Sequence, residues 1–148
     1  MEAKSIALLF FLFVAFACTA QKPDQNLKEG LAIQGYDPVS YFNGKPMEGK
    51  KELSKQYKGA TYRFATAQNR DEFAKSPDKY APEYGGWCAY AMAEGDKVSI
   101  DPETYKIIDG KLYLFYHTLF SNTLKKWNED ESDLHQKANA AWQKIHNN

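Results

Sequence analysis

The run Tyr105-Lys106-Ile107-Ile108-Asp109-Gly110-Lys111-Leu112-Tyr113-Leu114-Phe115-Tyr116 sets two β-branched and aromatic stretches on either side of Asp-Gly. That dipeptide readily supplies the two positive φ angles of a type I′ turn, so the run predicts a β-hairpin. Working outward, Val39–Phe42 and Thr61–Phe64 are short β-rich runs bounded by Gly or Pro and are expected in the same sheet. Thr66 reads as an N-cap for a short helix that passes Phe73 and ends before Pro77. Near the C-terminus, Leu134, Ala138, Ala141, Trp142 and Ile145 recur at helical spacing, behind acids at Asp130–Asp133 that favour the positive end of the helix dipole. A further helix is expected over Leu119–Trp127, with Leu119, Thr123 and Trp127 on one face. The pattern predicts a small α+β domain: a short antiparallel sheet with flanking C-terminal helices.

The 148 residues suit one such domain, and 19 Lys plus Arg balance 19 Asp plus Glu. A net charge of zero without a basic block argues against nucleic acid as a partner. The 22 aromatics (3 Trp, 10 Tyr, 9 Phe) are enough for a packed core. Ile6–Ala17 is an unbroken apolar run of 12 residues behind Lys4. It is too short to span a bilayer, which takes about 20 residues, and fits the apolar stretch of a secretory signal peptide over residues 1–20.

Two processing routes fit its end. Ala17-Cys18 resembles a bacterial lipobox, in which Cys18 is lipidated; ordinary cleavage after Cys18-Thr19-Ala20 leaves Gln21 first. The lipoprotein is the preferred reading. On either route the protein is exported to the bacterial cell envelope, facing the periplasm or cell surface, and touches membrane only through such an anchor. Residues 21–30 read as a polar leader and residues 31–148 as the domain. Both routes leave Cys88 as the single thiol, so no intramolecular disulfide is expected.

Three segments together resemble the YHS domain family: Gly35-Tyr-Asp-Pro-Val-Ser-Tyr-Phe42; Tyr57-Lys-Gly-Ala-Thr-Tyr-Arg-Phe64 with Arg70, Phe73, Pro77 and Tyr80; and Tyr84-Gly-Gly-Trp-Cys-Ala89 followed by Leu112–Tyr116. The likeness covers about residues 31–145 and is greatest to the exported branch in which some members carry selenocysteine where this chain has Cys88. It implies the fold more than an activity. Metal-associated YHS domains place thiols at positions that are Ser40, Ala65 and Asn69 here. Soft metals need thiolate, thioether or imidazole ligands, so the resemblance does not carry that metal site to this chain.

Cys88 precedes an alanine-rich stretch suited to a helix, whose N-terminus would favour thiolate. It is the candidate catalytic residue if the protein is redox-active, needing an external thiol or redox partner; otherwise it is a buried apolar residue. No two of His117, His135 and His146 stand at metal-ligand spacing. His117 is the candidate second ligand or base for Cys88, with a transition-metal ion the cofactor considered, while His135 and His146 read as solvated surface. Asp37 reads as a turn residue, with an acid or ligand role as the alternative. Tyr36, Asp37, Tyr84, Trp87 and Cys88 are together the candidate ligand-binding set. No phosphate loop, nucleophile elbow or His-Glu-x-x-His motif is present, which argues against the familiar nucleotide and hydrolase chemistries. The expected function is a non-catalytic binding module for a small ligand or metal ion. The alternatives are a thiol-dependent redox protein using Cys88 and a structural envelope protein.

Overall fold

The computed structural model describes residues 24–147. The expected signal peptide and the candidate lipidation residue Cys18 lie outside the described residues.

The hairpin forms as its turn chemistry requires. Strands β5 (Asp101–Ile108) and β6 (Lys111–Phe115) pair antiparallel, with Asp109 at φ 50° and Gly110 at φ 74°. β6 is buried on both faces: Leu112 and Leu114 enter one apolar cluster, while Tyr113 and Phe115 enter a second. The two-residue period of a strand makes β6 the wall between two cores.

The first core is closed by a mixed sheet in the order β1-β2-β4-β3, made of β1 (Leu27–Lys28), β2 (Leu31–Ala32), β3 (Lys50–Tyr57) and β4 (Ala60–Phe64). Ala60, Tyr62 and Phe64 point inward at alternate positions of β4. Helices α1 (Ala67–Lys75) and α2 (Pro77–Tyr80) cover its side and contribute Phe73 and Tyr80. As the sequence suggests, Thr66 caps α1, its hydroxyl accepting the Asn69 N–H at 3.1 Å. The second core lies under α3 (Ala89–Met92), α4 (Thr123–Glu129) and α5 (Glu131–His146).

Several elements differ from expectation. Val39–Phe42 is not a strand, because the Asp37 carboxylate takes the Val39 and Ser40 N–H groups and turns the chain into a 3₁₀ helix over Ser40–Asn43. Thr61–Phe64 does lie in a strand, but in a different sheet from the hairpin, and β2 runs parallel to β4. The helix expected from Leu119 begins at Thr123, because Asn122 caps it and β7 (His117–Thr118) and β8 (Ser121–Asn122) form a small hairpin first. Residues 24–30 of the expected leader belong to the fold: β1 pairs with β2, and the Asn26 amide donates to the Gly85 carbonyl at 2.9 Å. His135 is half-buried rather than solvated, its Nε2 lying 2.9 Å from the Tyr113 hydroxyl.

Glu131 joins three elements of the second core. Its carboxylate accepts the indole N–H of the fully buried Trp127 at 3.0 Å and an ammonium hydrogen bond from Lys106 on β5. The Lys106 hydrogen bond holds the Glu131 carboxyl below its ordinary range, against the opposing effect of burial. A lowered folded-state value makes this contribution complete above the ordinary Glu range, and it is lost as pH falls through the folded-state value. In urea titrations the stability gap between wild type and Glu131→Gln is therefore expected at neutral pH and should close on acidification.

Candidate functional site

Asp37 is fully buried, and both its oxygens are occupied. Oδ1 accepts the N–H groups of Val39 at 2.9 Å and Ser40 at 3.4 Å; Oδ2 accepts the Ala65 N–H at 2.9 Å and the Asn69 side-chain amide at 2.7 Å. The Ser40 hydroxyl donates to the Asp37 carbonyl at 2.6 Å and accepts the Met47 N–H at 3.0 Å. The three positions that resemblance associates with thiols thus converge around one carboxylate. Their chemistry does not fit a soft metal: the donor set lacks sulfur and imidazole, and the available oxygens already receive N–H groups. Among the described residues, no group of three or more His, Cys, Asp or Glu side chains is placed to hold a metal ion. Asp37 serves here as a structural node tying the first turn of the domain to β4 and α1.

Cys88 is placed elsewhere, at the N-cap of the single-turn helix α3, and is completely buried. Its sulfur accepts the Tyr116 N–H at 3.3 Å and lies 3.4 Å from Thr123 Oγ1. The Thr123 hydroxyl donates to the Tyr116 carbonyl at 2.8 Å, which leaves its oxygen free to accept from the thiol. Cys88 therefore locks the end of the central hairpin to α4. His117 turns to other partners, with Nδ1 lying 3.0 Å from Thr104 Oγ1 and 3.4 Å from Asp101 Oδ2. His117 and Cys88 thus share no hydrogen bond. A sulfur with no exposed surface reacts only when the fold opens. Iodoacetamide should accordingly label native Cys88 at least roughly a thousandfold more slowly than the urea-unfolded chain, as read by intact mass.

The remaining candidates divide between two places. Tyr36 bridges to Glu48, and burial followed by the charges of Glu103, Glu48 and Asp101 raises its hydroxyl above the ordinary tyrosine range. Tyr84 lines a groove of about 630 Å³ between the segment at Asp24, the β3–β4 turn, α2 and α5. Tyr57, Trp142 and Ile145 form further apolar wall, and Asp24, Lys58, Asp78 and Glu83 bring charge to it. The Tyr57 hydroxyl donates to Asp78, and Lys58 donates to the same carboxylate oxygen at 2.8 Å. This Lys58 hydrogen bond is the principal reason that the Asp78 carboxyl sits below its usual range.

One side of the groove is set by three consecutive residues with positive φ: Tyr84 at 53°, Gly85 at 60° and Gly86 at 82°. A Cβ at Gly85 would lie 2.3 Å from the Asp24 carbonyl oxygen. Thus the close approach at the paired glycines is made by the protein's own N-terminal segment. Trp87 assists by donating its indole N–H to Asp24 Oδ1 at 3.0 Å, while the Tyr84 hydroxyl donates to Asn139 on α5 at 2.8 Å. Of the five expected ligand-binding residues only Tyr84 lines the groove.

Sequence reasoning missed Asp24, Tyr57, Lys58, Asp78 and Trp142 as groove residues. Trp142 was legible as apolar helix face, and Tyr57-Lys58 as part of a family motif, but neither pattern points to a shared cavity. Gly85-Gly86 was the available signal, since paired glycines mark a close approach without identifying what approaches.

The family model for the YHS domain matches residues 38–84. No curated protein and no solved structure shows significant similarity to the chain. The matched stretch includes Ser40, Ala65 and Asn69 around Asp37 and much of the groove wall, and it stops before Cys88. Agreement between that match, the motifs that carry it and the α+β architecture leads to one conclusion: residues 38–84 of this chain are a YHS domain.

Proposed function

We propose that this protein is an exported, non-catalytic binding module that takes a small organic ligand in the groove beside Tyr57, Tyr84 and Trp142. The observation carrying this reading is the groove itself, whose volume of about 630 Å³ falls within the range of small-ligand sites. Aromatic and aliphatic wall supplies apolar area, and nearby charged groups supply orientation. Two alternatives have less support: the Asp37 node lacks soft-metal ligands, and Cys88 is sealed from reagents.

Ligand-observed NMR with a library of small aromatic acids, amines and amides tests the proposal. Wild-type protein should give hits that Ile145→Trp, which fills the groove, loses while keeping its circular dichroism and melting temperature. An absence of hits, or hits that persist in the folded Ile145→Trp variant, would overturn it.

Export rests on the N-terminal pattern, and Cys18 provides its test. Bacterial lipoproteins carry more than one acyl chain, whereas a single chain binds only marginally. The mature protein should partition with detergent, and Cys18→Ala should either move it to the aqueous phase or stop its maturation. A soluble, unmodified chain beginning at Gln21 would exclude the anchor.

A further inference from the structure

The small hairpin of β7 and β8 presents a surface that neither the groove nor the Asp37 node uses. His117 pairs with Asn122 and Thr118 with Ser121, leaving Leu119 and Phe120 as the two residues of its tip. They are 91% and 93% exposed. Such tips favour Asn, Asp and Gly because these tolerate positive φ, yet neither Leu119 nor Phe120 has positive φ. The backbone therefore does not explain the choice of two large apolar side chains. Nor can the tip readily fold back, because its base is held by the Thr123 amide and hydroxyl on the Tyr116 carbonyl, at 3.0 and 2.8 Å, and by His117 against Thr104 and Asp101.

Charge indicates what the tip meets. A shallow hollow beside it is lined by His117, Thr118, Ser121, Asn122, Lys125 and Lys126 along with the tip residues, and contains no carboxylate. Neither lysine enters an ion pair among the described residues. A convex apolar point with a basic collar matches a layer of anionic phosphate over hydrocarbon, whereas a protein partner would need a separate pocket shaped to receive it. We infer that Leu119 and Phe120 insert into the interfacial layer of an anionic phospholipid membrane, with Lys125 and Lys126 on the headgroup phosphates.

A nitroxide beside the tip tests this independently of any N-terminal anchor. Full-length protein carrying Cys18→Ala and Ser121→Cys is spin-labelled at residue 121 and mixed with vesicles of phosphatidylcholine, alone or with phosphatidylglycerol. With phosphatidylglycerol present, the nitroxide should become accessible to oxygen and protected from a water-soluble nickel chelate. Adding Leu119→Ser and Phe120→Ser should abolish that change, and adding Lys125→Gln and Lys126→Gln should weaken it about tenfold or more. These side chains are exposed, so unchanged circular dichroism should accompany each loss. A nitroxide that stays in water on both vesicles, even with the chain held there through its N-terminal apolar stretch, would overturn the inference. So would a change indifferent to either pair of substitutions.

Discussion

Asp37→Ala should lower the stability of the domain by about 4 kcal/mol, a large part of the roughly 5–15 kcal/mol typical of a folded protein. The carboxylate is the acceptor for Val39 N, Ser40 N, Ala65 N and Asn69 Nδ2, and it has no exposed surface. Truncation leaves donors from three parts of the chain without their acceptor, and water must enter or the segment must rearrange to satisfy them. Asp37→Asn should be nearly as damaging, because whichever way the amide turns, its NH₂ faces N–H donors where the carboxylate placed an oxygen. Urea denaturation with both variants provides the measurement, with the midpoint expected to fall and the slope to stay constant. Stability within about 1 kcal/mol of wild type for Asp37→Ala would mean that the node does not organise the domain.

Gly85→Ala should cost about 3 kcal/mol and should detach the N-terminal segment before it disturbs the hairpin. Two penalties act together: an alanine at φ 60° is strained, and its Cβ would lie 2.3 Å from the Asp24 carbonyl oxygen and 3.0 Å from the Trp142 ring. Gly86→Ala separates them, since its φ is 82° but its Cβ would come no nearer than 3.4 Å to the Pro82 side chain. Gly86→Ala should therefore cost only about 1 kcal/mol, the strain alone. Hydrogen exchange checks the mechanism, because the Asn26 amide bonded to the Gly85 carbonyl should lose protection in Gly85→Ala while amides of β6 remain protected. Equal effects of the two alanines would refute the close-approach explanation.

Elements with local causes were legible in the chain alone. Asp109-Gly110 required its turn, Thr66 capped α1, and the helical spacing from Leu134 to Ile145 marked the inner face of α5. The YHS motifs were legible for the same reason, since they are contiguous strings of residues. Tertiary structure decided whatever depends on meetings between distant segments. It made Asp37 a node for residues as far away as Asn69, whereas the 3₁₀ segment at Ser40 has the local cause of the Asp37 carboxylate on the Val39 and Ser40 N–H groups. It also buried Cys88 behind Tyr116 and Thr123, directed His117 to Thr104 and Asp101, and seated Asp24 against Gly85 to complete a groove. Periodicity identifies which side of an element is apolar, but not which other element covers it. That pairing is set by packing and by finding a partner for each buried polar group.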